Sequence, residues 1–212
     1  MYQLIISEKP AAAEKIAHAL GKAKKLAKNK VPYYEVSGTK KIVVVPAVGH
    51  LYTLAKSDKD NTRPIFKIEW KPTCEVDKSA AFSKPYLNLI KTLSKDADEF
   101  VVATDYDIEG EVIGLNIVRY ACNQKDAMRM KFSTLTAGDL KQAYSKLSKT
   151  IDWHQAEAGE TRHFLDFFWG INLSREASDS VVAATNRYST LSIGRVQGPA
   201  LAHLAERERE IM

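Results

Sequence analysis

Only two of the 212 residues are cysteine, Cys74 and Cys122, and they stand far apart with no Cys-x-x-Cys or Cys/His ligand spacing around them. That excludes a disulfide framework and a zinc site, and it suits a reducing, intracellular setting. No apolar run nears the roughly twenty residues of a membrane span. Met1 to Ser7 passes directly into a strand pattern rather than a signal peptide, which fits a cytoplasmic protein. Internal repeats and low-complexity segments are absent. Excess charge is also small: Lys and Arg number 31 against 26 Asp and Glu, a formal +5, which admits an acidic partner without demanding one. What is present is 45% hydrophobic and 27% charged residues, enough to bury the core of one large domain or of one domain and part of another.

Tyr2 to Ser7 reads as a strand, and Pro10 with the alanine-rich stretch to Leu20 as the helix after it, proline being suited to a first helical turn. Lys22 to Lys30 reads as a solvated loop, the usual fate of a lysine run. Tyr33 to Val36 and Lys41 to Val48 form a hairpin around Ser37-Gly38, followed by a turn at Gly49-His50. Lys56 to Pro72 is an irregular excursion with strand signals from Ile65 to Trp70. A helix over Phe82 to Leu93, a strand over Glu99 to Thr104 and a helix over Asp107 to Ala121 come next. A strand over Met128 to Phe132 and a helix over Ala137 to Leu147 complete the series. Alternating strands and helices predict an α/β domain with a mostly parallel sheet covered on both faces. After Ile151 the pattern is all-α: a long helix broken near Gly170, a polar loop at Asn186 to Thr190 and a closing helix from Val196. The expected domains are 1–148 and 149–212. The closing helix stops in Glu206-Arg207-Glu208-Arg209-Glu210 without a cap, as expected of a chain cut inside a larger protein.

The densest chemistry is Asp105-Tyr106-Asp107-Ile108-Glu109-Gly110-Glu111, four carboxylates at alternate positions where an apolar strand hands over to a helix. Ligands of open α/β sheets bind at the carboxyl ends of strands, and like charges crowded there call for protons or a cation. Magnesium takes oxygen ligands and leaves room for phosphate oxygens, so the arrangement suits chemistry on phosphate esters. A purely structural account has Asp107 cap the helix while Glu109 and Glu111 favour its positive end. It leaves Asp105 and Gly110 unexplained. Glu8-Lys9, at the end of the first strand, falls on the same sheet edge if the strands are parallel. A carboxyl group beside such a cluster can serve proton transfer.

Glu8-Lys9-Pro10 together with Asp105-x-Asp107-x-Glu109-Gly110-Glu111 resembles the Toprim domain of topoisomerases, bacterial primases and some nucleases. The region of Arg162 to Asp166 with Gly170, then Leu191-Ser192-Ile193-Gly194-Arg195-Val196-Gln197, then Glu206 to Ile211, resembles the start of the helical DNA-binding domain of type IA DNA topoisomerases. The resemblance spans nearly the whole chain, and the second region counts against a Toprim nuclease or primase. It implies Glu8 in proton transfer to the leaving sugar oxygen, with Lys9 beside it as a phosphate contact. It further implies magnesium on Glu8, Asp105, Asp107 and Glu109, with Glu111 as a fourth loop acid, and single-stranded DNA on Arg162, Ser192, Arg195 and Gln197. Lys9 is similar to the topoisomerase III and archaeal-like branches, whereas bacterial topoisomerase I has its lysine where this chain has Ala12. None of the nine tyrosines stands in the family's Tyr-x-Arg-Thr context, so the nucleophile is expected beyond Met212 and the chain alone is expected to be inactive. A helicase-like region ahead of Toprim, as in reverse gyrase, is not expected where Met1 opens the first strand. The remaining expectations are a monomer, cytoplasmic and nucleoid-associated, acting on negatively supercoiled DNA. A DNA-binding module that keeps the acids only as structure is the non-catalytic alternative.

Overall fold

The computed structural model describes residues 1–38, 40–57 and 63–212. The chain forms two compact units, residues 1–53 with 70–160, and residues 54–69 with 161–212.

The first unit is built on a six-stranded sheet. Its strands are β1 (Tyr2–Ser7), β2 (Lys22–Lys28), β3 (Val31–Ser37), β4 (Ile42–Pro46), β7 (Ala97–Ala103) and β8 (Met128–Arg129), in the order β2-β3-β4-β1-β7-β8. β1 pairs in parallel with β4 and β7, and β7 with β8, while β2, β3 and β4 form an antiparallel meander. β5 (Tyr52–Lys56) and β6 (Ile68–Pro72) form a separate two-stranded sheet. The helices of this unit are α1 (Pro10–Leu20), α2 (Thr73–Val76), α3 (Lys84–Leu93), α4 (Ile108–Asn116) and α5 (Ala137–Ser145). α6 (Trp153–Thr185) starts in the first unit and continues in the second, which also holds α7 (Gln197–Ile211).

Strand periodicity decides how the core divides. Leu4 and Ile6 of β1, Val43 and Val45 of β4, and Phe100 and Val102 of β7 join Leu87 and Ile90 of α3 and Ile113 and Leu115 of α4 on one face. The intervening Ile5, Val44 and Val101 join Ala13, Ile16 and Ala17 of α1 and Leu140 of α5 on the other. The central strands are thus apolar on both sides, as a covered parallel sheet requires, and each fully buried Ile or Leu contributes about 1.5–3 kcal/mol.

Three expectations change. Lys22 to Lys30 is not a loop: Lys22–Lys28 is an edge strand, in register with β3 from Lys22 beside Ser37 to Lys28 beside Val31. Asn29 (φ 52°) and Lys30 (φ 67°) make the two-residue turn, both in the left-handed conformation that suits hairpin twist. Lysine is compatible with an edge strand because its side chain reaches water while the backbone pairs on one side. α6 runs through Gly170 without a break, since one interior glycine costs about 1 kcal/mol against alanine and 33 residues of helix absorb it. The strand expected over Met128 to Phe132 is limited to Met128–Arg129. Among the described residues, no helix is long and apolar enough to cross a membrane.

Candidate active site

β1 and β7 are adjacent and parallel, with Ser7 beside Ala103, so both chains leave the sheet at the same edge. Glu8 follows β1 and Asp105 follows β7, and the register brings them together across 97 residues of sequence. The Asp105 amide donates to Glu8 Oε2 at 3.3 Å. Lys9 Nζ stands 2.9 Å from Glu8 Oε1 and 3.0 Å from Asp105 Oδ2, tying the two carboxylates together. The hydrogen bond to Glu8, then the one to Asp105, raises the Lys9 pKa well above the ordinary lysine value, so it remains a cation at any physiological pH. β4 contributes as well: its continuation donates from the Gly49 amide to the Glu8 carbonyl at 3.2 Å. The next residue, His50, has Nε2 3.2 Å from Glu109 Oε2.

The acid loop is shaped by α4. Asp107 is its N-cap, with Oδ1 accepting from the Gly110 amide at 2.7 Å, so the structural role foreseen for this residue is real. One oxygen makes the cap, and Oδ2 stands outside that bond. Gly110 is required by close approach: a Cβ built there would lie 2.0 Å from the Asp105 carbonyl oxygen. Asp105 and Glu109 are half-buried and Asp107 is exposed, so three oxygen-donor groups from five residues reach solvent at one sheet edge. Carboxylate oxygens are the donors that a hard divalent cation takes.

Glu111 is arranged differently from the other acids. It is fully buried, and its Oε1 accepts from Arg129 Nε at 2.5 Å. Arg129 is buried too, and its remaining donors reach the carbonyls of Thr104 (2.9 Å), Met130 (2.8 Å) and Asp105 (2.9 Å). The guanidinium therefore holds the backbone entering the acid loop, and Glu111 neutralises it. Committed to Arg129, Glu111 does not share the solvent-facing edge of the other three acids.

Tyr106 stacks beneath Lys131, whose Nζ is 4.7 Å from the ring centroid, and donates from its hydroxyl to Asp152 at 3.2 Å. Lys131 also donates to Asp152 at 3.0 Å, and this bond is the main reason that the Asp152 pKa lies below the usual carboxylate value. Arg129, Lys131 and Asp152 were not singled out from sequence, and His50 was seen there only as part of the Gly49-His50 turn. The one available signal was a charged residue, Arg129, inside an apolar strand.

In the second unit Asp166 joins two of the expected DNA contacts. Arg195 Nε lies 2.6 Å from its Oδ1, and Arg162 Nε lies 3.6 Å from its Oδ2. The Arg195 bond holds the Asp166 carboxyl below its ordinary pKa. Ser192 lines an open groove of about 810 Å³ that also presents Lys56, Arg63, Arg175 and Tyr188. Gln197 is the exposed first residue of α7 and lies outside the groove lining.

A mixed sheet whose neighbouring parallel strands β1 and β7 deliver acids to one edge defines an α/β domain of the Toprim type, a metal-binding fold. The Toprim domain family matches residues 3–135, and the DNA topoisomerase family matches residues 150–212. DNA topoisomerase 1 of Methanocaldococcus jannaschii is 51% identical over 216 residues, covering 100% of this chain and 28% of that protein. DNA topoisomerase 3 of Staphylococcus haemolyticus is 31% identical, covering 100% of this chain and 29% of that protein. The structure of full-length topoisomerase I from Thermotoga maritima superposes with a TM-score of 0.62 at 26% identity, over 98% of this chain and 30% of that one. The chain belongs to the Toprim domain family. It spans about three tenths of the length of these relatives.

Proposed function

We propose that this chain is the amino-terminal part of an enzyme that cleaves and reseals one DNA strand through a tyrosine ester, relaxing negative supercoils. Residues 1–148 would be the Toprim domain and 149–212 the start of the helical DNA-binding domain. The observation that carries the reading is the meeting of Glu8 with the Asp105 loop, locked by Lys9. Phosphoryl chemistry needs a proton donor, a cation and a phosphate contact in one place, and these residue types are the appropriate ones. Glu8 would give its proton to the leaving sugar oxygen and recover it on resealing. Lys9 would hold a phosphate oxygen. Asp105, Asp107 and Glu109, with Glu8 at their edge, would hold magnesium, which supplies charge stabilisation at the scissile phosphate. Glu111 belongs to the support of the loop.

Arg162, Ser192, Arg195 and Gln197 would contact a single strand, Asp166 keeping the two guanidiniums in place until phosphate competes for them. The enzyme would act as a monomer in the cytoplasm, on nucleoid DNA. The attacking tyrosine is assigned outside these 212 residues, because none of the tyrosines present has the Tyr-x-Arg-Thr context. Titration of the chain with magnesium and a labelled single strand tests the reading. Salt-sensitive binding of the strand, with a cation site that Asp105→Asn and Asp107→Asn remove, is the expected result. A chain that binds neither refutes it.

A further inference from the structure

The chain's excess positive charge is concentrated in one stretch of sequence. Residues 14–41 hold eight lysines and two glutamates; the whole chain has 31 basic and 26 acidic residues, so the remainder has 23 basic against 24 acidic. Five of the eight, Lys22, Lys24, Lys25, Lys28 and Lys30, lie on the β2 edge strand and its turn. Lys22, Lys24, Lys28 and Lys30 are exposed, and no carboxylate among the described residues lies within ion-pair distance of any of them. Lys25 is different, with Glu14 at 3.5 Å and the Tyr34 ring 5.7 Å away. The two-residue strand period places Lys22, Lys24 and Lys28 on one face, opposite Lys25.

Register fixes where this row ends. Ile5 stands beside Val44, Val44 beside Tyr34 and Tyr34 beside Lys25, and β2 runs in the same direction as β1. Three residues further along each strand are Glu8 and Lys28. The lysine row therefore climbs to the edge of the sheet that carries the acid site and finishes, with Lys30 in the turn, level with Glu8. Three strand spacings of about 4.8 Å separate them, roughly 14 Å.

We propose that the Lys22-Lys24-Lys28-Lys30 row is a backbone-binding surface for the DNA flanking the acid site, engaging phosphates about four nucleotides away at 3.4 Å per stacked nucleotide. It rests on the reading that the acid site takes a DNA strand. Lysines on an edge strand also deter edge-to-edge pairing, but that purpose does not account for the concentration of the chain's excess charge there. Binding through such a row is independent of sequence and sensitive to salt.

The test compares three chains for binding to a labelled 20-nucleotide single strand across a salt series: the parent, a variant with all four lysines changed to Gln, and one with all four changed to Arg. The Gln variant is expected to lose about tenfold or more in affinity at low salt, and its slope of log K against log salt to fall by about 2 to 3. The Arg variant is expected to match the parent, which ties the effect to charge and shows that the edge tolerates substitution. A Gln variant with the parent's affinity and slope overturns the proposal while leaving the acid site's function standing. An Arg variant as weak as the Gln variant overturns it too. Absence of strand binding by the parent itself refutes the underlying reading and this one with it.

Discussion

Arg129 and Glu111 form a fully buried ion pair, Nε to Oε1 at 2.5 Å, that spans from β8 to α4 and ties down the backbone entering the acid loop. Removing one partner of such a pair leaves a buried charge uncompensated, at a cost of roughly 3–5 kcal/mol, whereas replacing both with apolar residues costs far less. Arg129→Met is therefore expected to lower unfolding free energy by about that amount in a urea titration. Combining it with Glu111→Leu is expected to recover much of the loss. A single mutant as stable as the parent would show that the pair does not support the loop.

Gly110 makes a sharper demand on the same loop. The methyl group of Gly110→Ala would collide with the Asp105 carbonyl, which is backbone and cannot swing aside. Overpacking of this kind costs about 1–3 kcal/mol, and relief by moving Asp105 is expected to weaken cation binding as well. Calorimetry with magnesium on a folded Gly110→Ala chain checks this, and an unchanged affinity counts against the loop geometry described.

Asp105→Asn with Asp107→Asn is expected to abolish magnesium binding and leave the far-ultraviolet circular dichroism spectrum unaltered, since neither carboxylate is buried. Retention of the parent's magnesium affinity in this double mutant would remove the cation from the loop.

Arg195→Ala is expected to weaken single-strand binding and reduce the salt slope by about 0.7, the contribution of one phosphate contact on a single strand. Because Asp166 is held by Arg195, the same change should return the Asp166 carboxyl toward its ordinary titration range, observable by NMR. Equal binding by mutant and parent across the salt series rejects the assigned contact.

The 212-residue chain is expected neither to relax supercoiled plasmid nor to form a covalent DNA adduct, covalent catalysis being impossible without its nucleophile. In an enzyme completed by the remaining domains, Glu8→Gln is expected to keep DNA binding and lose most cleavage, since Gln cannot cycle a proton. Mass spectrometry of denatured reactions decides the first point: an adduct on any tyrosine of this chain places the nucleophile within it.

Elements with a strong local signal were legible without coordinates. The strand at Tyr2 to Ser7, the alanine-rich helix and the acid loop each declare themselves within a dozen contiguous residues, through apolar runs, proline placement and alternate carboxylates. Parallel pairing of the first strand with the Phe100 strand could be anticipated from apolarity on both faces, and with it the approach of Glu8 to Asp105. Other features were decided by partners distant in sequence. Whether Lys22 to Lys28 becomes strand or loop depends on a hairpin partner, because side-chain charge conceals the backbone's capacity to pair. Whether Glu111 faces water or the interior depends on Arg129, eighteen residues on, since an alternating row of acids looks uniform until a helix turns its members to different sides. Asp166 meets Arg195 across twenty-nine residues for the same reason: ion pairs form between positions that the chain's path brings together, and linear spacing does not encode that path.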